Sequence, residues 1–466
     1  MNSFADIIAA ISTPPGKGGV AITRISGAGA VKLAEKMFRP ASGKRLGEHP
    51  PRMQVYGHVI SDEGSRLDDG MACFFKEGAS FTGEETVEIA SHGGVLVSSM
   101  VLERALSCGA RYAEAGEFTR RAFVNGRISL SDAEAIGMLL EAKSREQVTL
   151  ASEDSRDALG TALSDIEAGL VEILSSIYAR IDYPDEDLGD FSDGEISQRL
   201  DALEEKVKAL LATYKTGKAI AEGIKTVICG KPNAGKSTLY NAILGEDAAI
   251  VTDIKGTTTD VLEKEALLGR VTLRLSDTAG IRSKADAGVI ERIGIERTQA
   301  ALNAAELIIA VFDLSEKFDD EDEHVLRETE GKDAAKIAVL SKADVQTVKF
   351  DTSKIEGKFD TVLTLSAKKS ATDARSMLSG AVESAFTDEK IKLGESAVIS
   401  SARQNAALST ALGHLQSAKD ALSHGCTADM VSSDVERALR SLSETDGREV
   451  SETVTNDIFS KFCVGK

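Results

Sequence analysis

"GKPNAGKS", Gly230–Ser237, decides how the middle of this chain folds. It has the form G-x-x-x-x-G-K-S and lies between the apolar run "IKTVIC" and the helix-like run "TLYNAIL". That order is strand, glycine-rich turn, helix, the setting in which backbone N–H groups curl around phosphate oxygens. Lys236 adds positive charge at the β and γ phosphates, and Ser237 offers a hydroxyl to Mg²⁺. Outward from the loop, the β-like runs "VTLRLSD", "LIIAVFD", "KIAVLSK" and "TVLTLSA" alternate with helical stretches. The alternation predicts an α/β domain with a parallel sheet over residues 223–387.

The flanks have a different period. Leu159, Leu163, Ile166, Leu170, Ile173, Ile177 and Ile181 form one apolar stripe on a long helix, up to the acidic stretch "DYPDEDLGDFSDGE". A second stripe runs through Leu200, Leu203, Val207, Leu210 and Tyr214, and a third through Leu408, Leu412, Leu415 and Leu422. Residues 128–222 and 388–466 therefore read as two parts of one α-helical domain into which the α/β domain is inserted. Residues 1–127 mix β-rich runs ("GGVAITRIS", "QVYGHVI", "ETVEIA") with helix-like ones ("VKLAEKMF", "LVSSMVLERALS") and read as α+β. The expectation is a multidomain chain of three parts.

Composition narrows the class. The chain has 466 residues, 42% hydrophobic and 28% charged, a soluble mix without a run of 18 apolar residues or a basic, apolar leader. The expectation is no membrane anchor and a cytoplasmic location. Five scattered cysteines that never form C-x-x-C fit a reducing compartment rather than a disulfide or zinc framework. The net charge of −19 is concentrated in residues 128–222 (9 basic, 21 acidic), while residues 1–127 are near neutral (15 basic, 14 acidic). That excludes a broad basic face for nucleic acid and leaves local patches.

Four segments after the loop come in the order a GTP-hydrolysing domain requires. "GTTTD" (Gly256–Asp260) supplies switch threonines, Thr258 being the candidate second Mg²⁺ ligand beside Ser237. "DTAG" (Asp277, Thr278, Ala279, Gly280) ends an apolar strand, so Asp277 can reach Mg²⁺ through water. In "SKAD" (Ser341, Lys342, Ala343, Asp344), Asp344 can accept hydrogen bonds from guanine N1 and its amino group, and "SAK" (Ser366, Ala367, Lys368) can cover the base. The water-orienting glutamine of Ras-like GTPases has no counterpart, because Ile281 follows Gly280. Another group must position the water, and the following segment offers the acids Asp286, Glu291 and Glu296, any of which could. No arginine is marked as a finger, so another cation must neutralise transition-state charge.

The full set resembles the MnmE (TrmE) family of bacterial tRNA-modification GTPases. The resemblance runs from "STPPGKGGVAITRISG" through "SFTGEETVEIASHGG", "AGEFTRRAFVNGRISL", "IDYPDED", the GTPase motifs and "ERIGIER" to the terminal "FCVGK". It implies a folate-binding N-terminal domain that makes a homodimer, a helical domain, and an inserted GTPase domain. It implies GTP and GDP with Mg²⁺ and K⁺, a 5-formyl- or methylene-tetrahydrofolate one-carbon donor, a tRNA substrate, and MnmG (GidA) as partner in a heterotetramer or larger complex. Together they would build an aminomethyl-type (carboxymethylaminomethyl) group on C5 of the wobble uridine.

Carried residue by residue, the resemblance places nucleotide contacts at Asn233, Ala234, Gly235, Lys236, Ser237 and Thr238 in the phosphate loop. It places others at Thr252, Asp253, Ile254, Lys255, Gly256, Thr257 and Thr258 in "TDIKGTT", besides the motifs above. K⁺ falls to Asn233, Thr252, Ile254 and Thr257, standing where an arginine finger would. Glu291 becomes the water-positioning acid and Cys463 the tail thiol, both catalytic. Folate contacts fall to Arg24, Glu88, Arg127 and Lys466. Three departures stand out: Thr259 replaces the usual arginine of G-T-T-R-D, Ser341 replaces the asparagine of N-K-x-D, and the stretch before Glu291 is two residues longer.

Simpler readings compete at several positions. The acidic runs Asp182–Asp193 and "KFDDEDEH" read as solvated segments, and His92 in "SHGG" as a turn residue, because no ligand partner stands at metal spacing. "KFCVGK" fails as a prenylation box, since Gly465 and Lys466 close it. Val454, Ile458, Phe459 and Phe462 read instead as a last helix docked on the protein, which would hold Cys463 and Lys466 against the N-terminal folate pocket. A regulatory GTPase switch without RNA chemistry is the alternative function.

Overall fold

The computed structural model describes residues 6–183, 191–245, 263–276, 299–345, 350–447, 455, 458–460, 462 and 465. Residues 1–141 with 440–466 form one compact unit, and residues 142–439 form another.

The first unit is built on a seven-stranded sheet. Its strands are β1 (Ile8–Ile11), β2 (Val20–Ser26), β3 (Phe38–Pro40), β4 (Val55–Ile60), β5 (Arg66–Phe75), β6 (Thr86–His92) and β7 (Arg111–Tyr112). They lie in the order β3-β4-β5-β6-β2-β1-β7, antiparallel except for the β1–β7 pair. Alternation along the strands puts Ile25, Val87, Ile89, Ala72 and Phe74 on one face. There they pack with Ala34 and Met37 of α1 (Ala30–Met37) and with Val101 and Leu102 of α2 (Val95–Ser107). The other face carries Ala10, Arg24, Glu88 and Cys73 side by side across four strands. Helices α3 (Glu117–Val124) and α4 (Leu130–Glu141) follow.

The chain end packs on this unit. Phe459 and Phe462 bury against Leu130 and Ala133, with Phe123, Ile128, Ile136 and Ile458 at the edge of the cluster. Two glycines admit them. A Cβ on Gly116 would stand 2.5 Å from the Phe459 carbonyl oxygen, and one on Gly137 3.3 Å from the Phe462 ring. The expected last helix is helical at Ile458–Ser460, and Val454 lies outside the described residues.

The second unit joins helices to an α/β sheet. After α5 (Arg145–Leu150) come α6 (Glu153–Asp182) and α7 (Asp193–Ala221), each started by a serine: Ser152 and Ser192 accept from the backbone N–H three residues on. The predicted stripe of α6 is buried from Leu159 through Ile177 and ends at Ile181, which is 37% exposed. Gly169 lets α6 approach α7 closely, since a Cβ there would stand 2.8 Å from the Leu203 side chain.

The sheet has β8 (Ile224–Cys229), β9 (Glu263–Leu268), β10 (Val271–Ser276), β11 (Leu307–Asp313), β12 (Ala335–Ser341) and β13 (Thr361–Thr364), in the order β13-β12-β11-β8-β10-β9. All pairs are parallel except β9–β10. Its helices are α8 (Lys236–Leu244), α9 (Asp320–Thr329) and α10 (Ala371–Phe386), and α11 (Ala402–Ser423) and α12 (Ala428–Asp446) close the chain's helical part. β11 is buried along its whole length and apolar up to its last residue, Asp313, as a central parallel strand must be. The insertion is visible where the chain leaves and returns: the Asp388 N–H donates to Thr216 Oγ1 at 3.0 Å, five residues before α7 ends.

Candidate functional site

The phosphate loop joins the end of β8 to α8. Gly230 (φ +146°) must be glycine, because a Cβ would stand 2.4 Å from the Val311 carbonyl oxygen of the neighbouring strand. Asn233 (φ +60°) and Gly235 (φ +102°) also take left-handed backbone, which turns successive N–H groups toward one side. Ser237 and Thr238 sit exposed in the first turn of α8. Their free N–H groups and the helix dipole favour an anion there. Lys236 folds back, its Nζ donating to the Gly230 and Lys231 carbonyl oxygens at 2.8 and 2.7 Å. The loop therefore holds its cation at its own mouth.

The motifs predicted to meet the base arrive at the ends of adjacent parallel strands. Ser341 ends β12 and is buried; its hydroxyl donates to the Ala234 carbonyl at 2.5 Å and lies 3.1 Å from the Phe312 carbonyl oxygen. Lys342 (φ +56°) reaches Asp313 Oδ2 at 2.5 Å. Burial raises the Asp313 pKa, but hydrogen bonds from Lys342 and Ser315 outweigh it and hold the carboxyl below its ordinary range. Asp344 is exposed, and a hydrogen bond from Ser366 lowers its pKa, with Lys368 and Lys369 adding to the effect. Ser366 Oγ also accepts from the Lys369 N–H at 3.2 Å, so the "SAK" turn is closed on itself beside Asp344. Ala367 lies between Ser366 and the exposed Lys368.

Sequence reading missed Lys231. Its ammonium lies 2.8 Å from Asp319, 3.1 Å from Asp322 and 3.1 Å from Glu316. The run "KFDDEDEH" is thus not simply a solvated segment. Asp319 caps α9, accepting from the Glu321 and Asp322 N–H groups, and Asp322 is fully buried. A helix N-cap followed by acids was readable as a helix start; its pairing with a lysine in the phosphate loop, 88 residues earlier, was not.

The first unit gathers its candidates on the sheet face not covered by α1 and α2. Arg24 donates through Nε to Glu88 Oε1 at 2.9 Å and stands 5.5 Å from the centre of the Phe118 ring. Cys73 follows Glu88 in the same row, and burial, then the Glu88 charge, pushes its thiol pKa up. The Arg127 stem covers Gly83, whose Cβ would stand 3.1 Å from Arg127 Cγ.

Beneath lies a second group that sequence reading missed. Arg121, fully buried, donates to Glu117 at 2.9 Å, to Asp6 at 2.7 Å and to Glu84 at 3.2 Å. Glu84 in turn accepts from Ser26 at 2.8 Å. This network ties α3, and with it Phe118, to the strand ends. The tail reaches the same region: a Cβ on Gly465 (φ +101°) would stand 2.2 Å from the Ile11 carbonyl oxygen. Ile11 is one residue beyond Ala10, the strand partner of Arg24.

Of the predicted residues, Thr252, Asp253, Ile254, Lys255, Gly256, Thr257 and Thr258 lie outside the described residues. So do Asp277, Thr278, Ala279, Gly280, Glu291, Cys463 and Lys466. Among the described residues no group of three or more His, Cys, Asp and Glu side chains could hold a metal ion, and no helix is long and apolar enough to cross a membrane.

Comparison with known proteins covers the chain end to end. The model described as GTP-binding protein TrmE N-terminus matches residues 7–127, and the MnmE helical domain model matches residues 130–463. The tRNA modification GTPase MnmE of Thermotoga petrophila is 39% identical over 464 residues, 99% of this chain and 100% of that protein. The protein of the same name from Clostridioides difficile is 37% identical over 462 residues, 99% of each chain. That from Bacillus subtilis is 37% identical over 465 residues, 99% of this chain and 100% of its own. A solved structure of Era is 21% identical and overlaps 41% of this chain and 65% of that one, with a TM-score of 0.26. With both family models matched and full-length identity near two residues in five, the chain belongs to the MnmE (TrmE) family.

Proposed function

We propose that this chain is a K⁺-activated GTPase that hydrolyses GTP to GDP and acts in tRNA modification. In this reading it works with MnmG (GidA), in a heterotetramer or larger complex in the cytoplasm, to place an aminomethyl-type group on C5 of the wobble uridine. One observation carries the GTPase part. The phosphate loop, the end of β12 with Asp344, and the "SAK" turn meet at one end of a parallel sheet, the usual ligand position in such sheets.

The described residues fit the nucleotide's phosphates and base. Backbone N–H groups of 233–238 and Lys236 offer positive charge to phosphates, and Ser237 offers an exposed hydroxyl at a helix N-terminus. Asp344, ionised and turned to solvent, is the acceptor for guanine N1–H and its amino group. When bound, Mg²⁺ and K⁺ would supply charge at the β–γ bridge, with Ser237 and Thr258 holding the first and Asn233, Thr252, Ile254 and Thr257 the second. Asp277 would touch Mg²⁺ through water. Glu291 would hold the attacking water in the place where Ile281 offers no hydrogen bond.

For the one-carbon step, Arg24, Glu88 and Arg127 would bind a tetrahydrofolate derivative, and Cys463 and Lys466 would come to it from the chain end. The Arg24–Glu88 pair over Phe118 and the close approach of Gly465 to Ile11 support this reading. A homodimer through the first unit is part of it. Tyr56 and Met71 stand opposite each other on the uncovered sheet face, 50% and 46% exposed, beside Ala90 and Ile22. Pairing two such faces would remove that apolar area from water.

Mass spectrometry of tRNA nucleosides decides between this activity and a regulatory switch. Cells lacking the chain should lose the C5 modification of the wobble uridine and regain it on complementation. Unchanged modification would sink the RNA-chemistry reading.

A further inference from the structure

The second residue of the phosphate loop does a job that the motif does not specify. Lys231 is only 3% exposed at its side chain, yet it belongs to a loop that opens to ligand. Its ammonium is shared by Asp319, Asp322 and Glu316. Two of these acids, Asp319 and Asp322, are fixed by the start of α9. Asp319 Oδ1 accepts from the Glu321 and Asp322 N–H groups at 3.0 Å each, and Asp322 Oδ2 accepts from the Asp319 N–H at 3.2 Å. Asp322 Oδ1 is buried without a hydrogen-bond partner among the described residues, so Lys231 is the cation that offsets this carboxylate. The backbone of Lys231 faces the other way: its carbonyl accepts from Lys236 Nζ at 2.7 Å.

We propose that Lys231 is a positioning residue for the phosphate loop, anchoring it to the start of α9 and neutralising the acids that would otherwise repel a nucleoside triphosphate. The proposal rests on the reading that this loop binds guanine nucleotide. Two physical effects combine. The anchor fixes the backbone at the position that precedes the left-handed turn at Asn233, so the N–H groups are preorganised and less is lost on binding. The charge of Lys231 also offsets three carboxylates that lie within 3.1 Å of it. Without it, those carboxylates would lose their offsetting lysine, and the field at the phosphate loop would turn toward negative.

The test uses the full chain and a fluorescent GDP analogue, with Kd and binding stoichiometry measured together. Lys231→Met is expected to raise Kd about tenfold or more. Lys231→Arg, which keeps the charge, is expected to recover most of the affinity. Burial already raises the Asp322 pKa, and removing the ammonium leaves this buried carboxyl without its offsetting cation, so Lys231→Met is paired with the double variant Lys231→Met, Asp322→Asn. The double variant should fold and bind better than Lys231→Met but still below wild type, because Asp319 and Glu316 remain. A structural role alone would lower the amount bound at saturation and leave Kd unchanged in both variants; that result overturns the proposal. Equal Kd for Lys231→Arg and Lys231→Met overturns it too. A wild-type chain that binds no guanine nucleotide overturns the reading of the site itself, and this proposal with it.

Discussion

Gly465 is the position at which the tail hypothesis is most exposed to test. Its backbone has φ +101°, where a Cβ is strained by about 1–2 kcal/mol. A Cβ there would also stand 2.2 Å from the Ile11 carbonyl oxygen, 3.0 Å from its carbon and 3.2 Å from Ser12 Cα, whereas real Cβ contacts begin at 3.0 Å. The separation must therefore grow by about 0.8 Å, the difference between 3.0 and 2.2. Ile11 is held in register opposite Thr23 of β2, so the tail moves and the strand does not. Cys463 and Lys466 lie two residues before and one after Gly465 and would be carried with it. A misplacement of about 1 Å in a catalytic arrangement can cost ~100-fold in rate. Gly465→Ala is thus expected to cut wobble-uridine modification by about 10- to 100-fold when the variant replaces the wild-type chain in cells. Phe459 and Phe462 should keep the unit folded. GTP turnover of the purified variant should be unchanged, since the phosphate loop belongs to the other compact unit. Wild-type modification by Gly465→Ala would refute the idea that the tail must dock at Ile11 for the chemistry.

Three further outcomes are expected. Replacing K⁺ by Na⁺ should slow GTP hydrolysis strongly while leaving nucleotide affinity nearly intact, and Glu291→Ala should keep affinity but lose turnover; equal rates in both salts would remove Asn233 and the "TDIKGT" loop from the mechanism, and a fully active Glu291→Ala would pass the water-positioning role to Asp286 or Glu296. In the helical part, hydrogen bonds from Lys419, Lys208 and Gln416 hold Glu204 at about 2, below its ordinary 4.5, so its contribution to stability is complete above the ordinary value and is lost as pH falls toward 2. Thermal melts should show Glu204→Gln destabilised by about 1–2 kcal/mol near neutral pH, with a shallower loss in acid than wild type; parallel acid limbs would rule out this coupling of α7 to α11.

Much of the architecture was legible because it follows from period. The stripe from Leu159 to Ile177 predicts one face of a long helix and is buried as predicted; Ile181 departs because the helix ends one residue later, at Asp182, where a side chain has fewer neighbours to cover it. The phosphate loop was legible because its glycines answer to geometry, as Gly230 does against Val311. Charged residues were misread where their partners are distant in sequence. Arg121 is fully buried because Asp6, Glu84 and Glu117 surround it, and the local pattern of "EFTRRAF" carries no sign of the two distant partners. Strand register sets Arg24 opposite Glu88, and register depends on turns and partners that no local pattern contains. Lys231 and the acids of α9 are hidden for the same reason.

Ser341 shows how a departure from a motif can divide one residue's tasks. An asparagine at this position could offer an amide to the base and also bond the phosphate loop. The serine is too short for both, and its hydroxyl is committed to the Ala234 carbonyl at 2.5 Å, with the Phe312 carbonyl 3.1 Å away. The tie between β12 and the phosphate loop is therefore kept, and the same residue packs 3.3 Å from where a Gly235 Cβ would be. What is given up is any side-chain contact from this position to the purine. In the proposed reading, recognition of guanine then falls to Asp344, whose carboxylate is kept ionised by the Ser366 hydrogen bond and by the neighbouring lysines. Because adenine presents no N1–H and no amino group at carbon 2, the remaining contact is the one that discriminates. The substitution should thus lower affinity for guanine nucleotides while leaving the preference for guanine over adenine in place. The loop itself stays held on two sides, by Ser341 at its centre and by Lys231 at its start.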